Sequence, residues 1–174
     1  LDELVTAKET QTIPYDDYML VDGEDGLTKL SNKLKDRSIL SIDLETTSLD
    51  TMIAEIVGIS IAWAPGKSAY IPVGHLYGMC IKRDPLEKFI RPLLANPEIK
   101  KVGQNLNYDL MILRRLGYEV RGVYFDTMIA SYLTSAEAEH NLDALSMKHL
   151  GHRTIRYEEV VGKGKNQKNF SEIM

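Results

Sequence analysis

The stretch from Ser38 to Asp50, SILSIDLETTSLD, narrows the choice of folds more than any other part of the sequence. Ile39, Leu40 and Ile42 form an apolar run that reads as a buried strand, and the run ends abruptly in two acids, Asp43 and Glu45. Side chains at i and i+2 of a strand share a face, so these carboxylates point the same way. Two carboxylates side by side at the mouth of a core repel each other and lose water, a costly arrangement unless a cation or a shared proton compensates. A divalent metal site at the end of a core strand is therefore the first expectation. The alternative is a strand end running into an ordinary polar turn.

The remaining periodicities supply the frame for that strand. Residues 1–17 mix charge, Thr and Pro without a steady period and read as a linker or N-terminal arm, leaving 18–174 as one domain. Tyr18 to Val21 suits a strand, and Leu27, Leu30 and Leu34 predict an amphipathic helix ending near Lys35. Glu55 to Trp63 and Ser68 to Val73, joined by Pro65-Gly66, complete a three-strand meander with the central strand. Leu86, Phe89, Ile90, Leu93 and Leu94 mark a helix starting at Asp84-Pro85. A short strand at Lys100 to Val102, a helix from about Asn107, a strand at Val123 to Phe125 and helices near 127–133 and 142–150 follow. Antiparallel strands first and alternating strands and helices afterwards predict an α/β fold with a mixed sheet flanked by helices.

Composition removes several classes. With 174 residues, 44% hydrophobic and 26% charged, the chain suits one soluble domain. Its longest apolar stretch, Ile56 to Ala64, is far short of the roughly 20 residues a bilayer requires, and no signal segment opens the sequence, so a cytoplasmic monomer without membrane partners is expected. The lone Cys80 permits no internal disulfide and no cysteine-based metal cluster. A net charge of −4 argues against coating nucleic acid by bulk attraction. Lys148, Arg153, Arg156, Lys163, Lys165 and Lys168 nevertheless concentrate positive charge, as a phosphate-tracking surface or a solvated face. The first residue is Leu, and Phe170 to Met174 begin an element with no stop signal, which suggests a piece of a longer protein.

The second informative stretch is Lys100 to Leu113, KKVGQNLNYDLMIL, where a short strand passes through Gly103, Gln104 and Asn105 into a helix. Asp109 falls in the first turn, where the helix dipole favours an acid, and Asn107 is a candidate cap. Asp109 also offers the acidic pair a further oxygen ligand from a different element. Hard oxygen donors without a cysteine or histidine cluster favour Mg²⁺ or Mn²⁺ over Zn²⁺; His149 and His152 have no third ligand in register. GKGKNQK misses the phosphate-loop spacing, and Glu45 breaks the D-x-D pattern of aspartyl-phosphate phosphatases.

Five motifs together resemble a known family. DLETTSLD (Asp43 to Asp50), GQNLNYD (Gly103 to Asp109), FDTMIASYL (Phe125 to Leu133), NLDALSMKHLGH (Asn141 to His152) and GKGKNQ (Gly162 to Gln167) are similar, in order and spacing, to the 3′–5′ proofreading exonuclease domain of family A, DNA polymerase I-type enzymes. The resemblance implies a ribonuclease H-like fold, two Mg²⁺ or Mn²⁺ ions, and hydrolysis of single-stranded DNA from its 3′ end to nucleoside 5′-monophosphates. It implies a polymerase domain C-terminal to this one in the parent protein. Relatives outside polymerases, the ribonuclease D and Werner-type exonucleases, supply the alternative of a free-standing RNA exonuclease. An exonuclease-like scaffold domain without activity is the third possibility, and the intact acids speak against it.

On the resemblance, Asp43, Glu45 and Asp109 occupy three of the family's four metal-binding positions. Asp43 would bridge two ions roughly 4 Å apart, Glu45 would hold the nucleophile-side ion, and Asp109 would support the second. The fourth acid belongs to a Tyr-x-x-x-Asp segment beyond the GKGKNQ region, so the domain is expected to stop before its last motif and its metal site to be partly empty or absent. Asp126 matches an acid that is not one of the four and is expected to cap the following helix with Thr127. Leu49 and Tyr157 match the residues that wedge against and stack on terminal bases. Gln104 and Asn105 are expected to hydrogen-bond the bound strand, with Tyr108 either joining them or packing in the core.

Overall fold

A computed structural model describes residues 17–173. The arm expected at 1–17 lies outside the described residues except for Asp17, which opens the first strand. The elements follow the order β1 (Asp17–Leu20), α1 (Glu24–Leu34), β2 (Ile39–Thr46), β3 (Ile56–Ala64), β4 (Lys67–Pro72), α2 (Arg83–Ala95), β5 (Lys100–Gly103), α3 (Leu106–Arg115), β6 (Val123–Asp126), α4 (Thr127–Thr134), α5 (Leu142–Leu150) and α6 (Tyr157–Val161). Two short 3-10 turns, Gly164–Asn166 and Phe170–Glu172, follow.

The strands form one sheet in the order β1-β4-β3-β2-β5-β6. The expected meander is there, with β2–β3 and β3–β4 both antiparallel. Parallel strands β5 and β6 extend it on one side, and β1 pairs parallel with β4 on the other. This is the mixed sheet the element order predicted.

Strand alternation divides the sheet into two faces. Leu40, Ile42 and Leu44 of β2 are buried, and with Ile59, Ile61, Ala69 and Ile71 they build one side of the core. Leu27, Leu30 and Leu34 of α1, Leu86, Ile90 and Leu94 of α2, and Ile112 and Leu113 of α3 close over it. Each of these helices presents its apolar residues at the 3.6-residue period that a core-facing stripe requires. The register places Asp43, Ser60 and Tyr70 in one cross-strand row of the opposite face and Glu45, Gly58 and Pro72 in the next. The acidic pair thus stands on the face turned away from the aliphatic core. A register shift between Glu45 and Thr46, after which Thr46 pairs with Ile56, interrupts the β2–β3 ladder directly after the pair. Bulges of this kind end pairing and re-aim side chains beside functional sites. Among the described residues no helix is long and apolar enough to cross a membrane.

Candidate active site

Asp43 and Glu45 project from the last turns of pleat in β2, and Asp109 comes to meet them from the first turn of α3. The strand geometry explains how the third acid is held. The parallel partner β5 pairs only with Ile39 to Ser41, so the Leu44 amide extends past the end of that ladder. The Asp109 carboxylate accepts this Leu44 N–H and its own backbone N–H. Asp109 is buried, with 3% of its surface exposed.

Burial raises all three carboxyl groups, and repulsion from neighbouring acids adds to the rise at Glu45 and Asp109. Burial pushes Asp109 up to about 8, with repulsion from Asp43 adding to it, the two backbone donors opposing it, and Glu45 contributing a smaller rise. Burial followed by repulsion from Asp43 raises Glu45 to about 7. Asp43 keeps an opening to solvent, yet the protein around it displaces enough water to raise its carboxyl as well. Among the described residues no three His, Cys, Asp or Glu groups close into a ready-made metal cage. The donor chemistry nonetheless fits a hard divalent cation: the oxygens are anionic, partly stripped of water and mutually repelled, and a positive charge between them removes the repulsion.

The helix start that delivers Asp109 differs from the expected one. The helix begins at Leu106 rather than near Asn107, and Asn107 caps nothing; its side-chain amide reaches Met111 Sδ at 3.8 Å. The cap comes from a distant position. Asp126 Oδ1 accepts the Asn105 N–H at 3.1 Å and Oδ2 accepts the Leu106 N–H at 2.7 Å. Oδ1 also accepts the Met128 and Ile129 N–H groups, at 2.8 and 3.3 Å. Asp126 thus caps α4, as expected, and the preceding helix start as well. Sequence order alone conceals that second function, because β5–β6 pairing creates it by setting Gly103 beside Asp126.

Tyr108, one residue before Asp109, clamps the turn after β2. Its hydroxyl donates to the Ser48 carbonyl at 2.5 Å and lies 2.5 Å from the Thr46 hydroxyl. The ring also packs against the core, which is one of the two expectations for this residue. Tyr108→Phe is expected to cost about 1 kcal/mol of stability, measured by denaturant unfolding, because the Ser48 carbonyl loses its phenolic donor.

The other candidates lie on the turn after β2, at the start of α3 and in α6. Leu49 is 91% exposed, so ordinary packing does not explain it. Tyr157 is half exposed and stacks on Phe170, with ring centroids 6.4 Å apart and planes 18° from parallel. Burial raises the Tyr157 phenol, and the charges on Glu45 and Tyr108 add to that rise, which sets this ring near the acids. Asn105 is exposed, with a left-handed backbone of φ 55°. Gln104 is tied into the fold from both ends of its amide: its Nε2 donates to the His140 carbonyl at 2.7 Å and its Oε1 accepts from the Thr127 hydroxyl. Sequence reasoning passed over Tyr70, whose position next to Glu45 follows only from the β3–β4 register.

Comparison with known proteins identifies the family and the fold. The profile of a family described as 3′–5′ exonuclease matches residues 18–174. DNA polymerase I of Pseudomonas aeruginosa is 39% identical over 163 residues, covering 90% of this chain and 18% of that protein. DNA polymerase I of Borreliella burgdorferi is 40% identical over 148 residues, covering 83% of this chain and 16% of that protein. The chain therefore spans less than a fifth of these relatives. Among solved structures, Escherichia coli RNase D superposes with a TM-score of 0.65 at 16% identity, over 82% of this chain and 36% of that one. The POL domain of Pol1 from M. smegmatis gives 0.63 at 22% identity, over 78% of this chain and 23% of that one. These superpositions show a shared ribonuclease H-like fold. Together with the profile match and the relatives, the sheet and the acids it carries place this chain in the 3′–5′ exonuclease domain family of family A, DNA polymerase I-type enzymes.

Proposed function

We propose that this chain removes nucleotides from the 3′ end of single-stranded DNA as the proofreading part of a polymerase, with Asp43, Glu45 and Asp109 as ligands of Mg²⁺ or Mn²⁺. The observation that carries this reading is the convergence of three carboxylates from two elements, with Glu45 raised to about 7 and Asp109 to about 8. Divalent cations at such a centre supply a water deprotonated near neutral pH and charge stabilisation for the departing 3′ oxygen.

The chain's own residues do the rest. Asp43 lies between the other two acids electrostatically, repelling both, and serves as the shared ligand. Asp109, fixed by the Leu44 amide, cannot swing away when a substrate phosphate arrives. Leu49, exposed on the turn that Tyr108 clamps, wedges against the terminal base, and Tyr157 offers a face for stacking. Neither contact reads base identity, as removal of any mispaired terminus requires. Asn105 supports the strand from its exposed position, whereas Gln104 acts by holding the 103–105 turn to His140 and Thr127.

Digestion of 5′-labelled single-stranded DNA and matched RNA with Mg²⁺ tests the reading, in this chain and in one extended through the Tyr-x-x-x-Asp segment. Stepwise shortening of DNA from the 3′ end is expected, with Asp43→Ala lowering the rate at least a thousandfold. A clear preference for RNA would overturn the proofreading assignment. Inert DNA with both chains would leave a scaffold.

A further inference from the structure

The sheet face that carries the acids also carries the phenol of Tyr70, and the exonuclease reading leaves it without a task. Tyr70 stands in the row of Asp43 and Ser60, while Gly58 stands between Glu45 and Pro72 in the adjacent row. A Cβ at position 58 would collide with the Tyr70 hydroxyl and the edge of its ring. The phenol therefore leans across the sheet over Gly58, and its hydroxyl ends on the side where Glu45 is the next cross-strand neighbour. Burial raises the Tyr70 phenol, and the Glu45 charge adds to the rise, in keeping with that proximity.

The hydroxyl proton has a fixed destination. His75 Nδ1 lies 2.9 Å from the Ile173 carbonyl oxygen, and Nε2 lies 2.6 Å from the Tyr70 hydroxyl. A carbonyl only accepts, so Nδ1 carries the proton, and in the neutral ring Nε2 is left to accept from the Tyr70 O–H. The lone pairs of the phenol oxygen remain for whatever lies towards Glu45. An acceptor beside a carboxylate is unfavourable by itself and becomes favourable when a proton-bearing group sits between them.

We propose that Tyr70 is a positioning residue for Glu45: its oxygen, locked over Gly58 by His75, accepts a hydrogen bond from a cation-held water and so fixes the angle at which the Glu45 carboxylate meets that cation. The proposal rests on the metal-dependent reading above and extends it to a third strand. Outer groups of this kind orient ligands and commonly change metal affinity by about tenfold or more when removed.

Three variants, Tyr70→Phe, Tyr70→Gln and Glu45→Gln, test it in this chain, by titrating Mn²⁺ against its electron spin resonance signal and by following thermal unfolding. Mg²⁺ dependence of 3′-end digestion is measured in the chain extended through the Tyr-x-x-x-Asp segment. Tyr70→Phe keeps the ring over Gly58 and is expected to weaken Mn²⁺ binding about tenfold, raising the Mg²⁺ needed for half-maximal digestion to match, while excess Mg²⁺ restores the maximal rate. Tyr70→Gln returns an oxygen acceptor and is expected to recover part of the affinity. If Tyr70→Phe binds Mn²⁺ like the parent while Glu45→Gln does not, Tyr70 has no such role and the exonuclease reading stands. If the Phe and Gln variants are equally impaired, an oxygen acceptor does not restore the site, and if affinity falls only in step with melting temperature, Tyr70 acts through packing; either result overturns the proposal. If the folded chain extended through the Tyr-x-x-x-Asp segment also takes up no Mn²⁺, the metal-dependent reading falls, and this proposal with it.

Discussion

Asp126→Ala is expected to destabilise the protein by about 3 kcal/mol, because four backbone N–H groups at two helix starts lose one shared acceptor. Loss of a single helix cap typically costs about 1 kcal/mol, and the α3 start adds a second cap that no neighbouring side chain replaces. For a chain of this size the change corresponds to a melting temperature lower by on the order of 10 °C. Asp126→Asn retains one oxygen acceptor and should fall between the two. The same substitution loosens the first turn of α3, so Asp109 should hold its position less well and metal affinity should drop with stability. A loss under about 1 kcal/mol in urea unfolding would mean that water replaces the carboxylate at both helices and that the double cap is dispensable.

Asp109→Asn is expected to act in opposite directions on activity and on stability. Cleavage should fall about a thousandfold, or roughly 4 kcal/mol of transition-state stabilisation. The cation-free protein should become more stable at pH 8, by on the order of 3 kcal/mol, because a buried, repelled charge is replaced by a neutral amide that still accepts the Leu44 N–H. The sign follows from the direction of the shifts. Asp109 titrates near 8 and Glu45 near 7 in the folded chain, both above the ordinary carboxylate range, so the native state binds more protons than the unfolded state over that interval. Stability of the cation-free protein therefore declines as pH rises from about 4 to about 8. Melting curves across that range with a chelator, repeated with Mg²⁺, provide the check. Mg²⁺ should restore stability at pH 8 in the parent chain and much less in Asp109→Asn. A flat pH profile would show that the acids do not crowd one another.

Much of this was legible in the sequence, for reasons that particular residues make plain. The two-residue alternation of Leu40, Ile42 and Leu44 marks β2, and Leu27, Leu30 and Leu34 mark α1, because each face must meet a core. Asp43, Glu45 and Asp109 were readable from residue type, local position and motif order. What escaped was set by contacts between distant segments. The helix at Tyr157–Val161 and the 3-10 turns are too short and polar to carry a period. The second cap formed by Asp126 needs the β5–β6 pairing, the internal bonds of Gln104 need α4 and His140, and the place of Tyr70 needs the β3–β4 register.

The meander has a kinetic consequence. Strands β2, β3 and β4 are consecutive, and their pairing requires only short loop closures, whereas Asp109 reaches the acidic pair after the chain has passed through α2 and β5. Local pairings of this sort form early on the way to the native state, and non-local ones carry a larger closure cost. Repulsion between Asp109 and the pair is then absent from the folding nucleus and present only once the site has closed. Relief of that repulsion, by Asp109→Asn or by a bound cation, should appear as slower unfolding with an almost unchanged refolding rate. On the proposed metal-dependent reading, a cation bound between the acids also lengthens the lifetime of the folded chain.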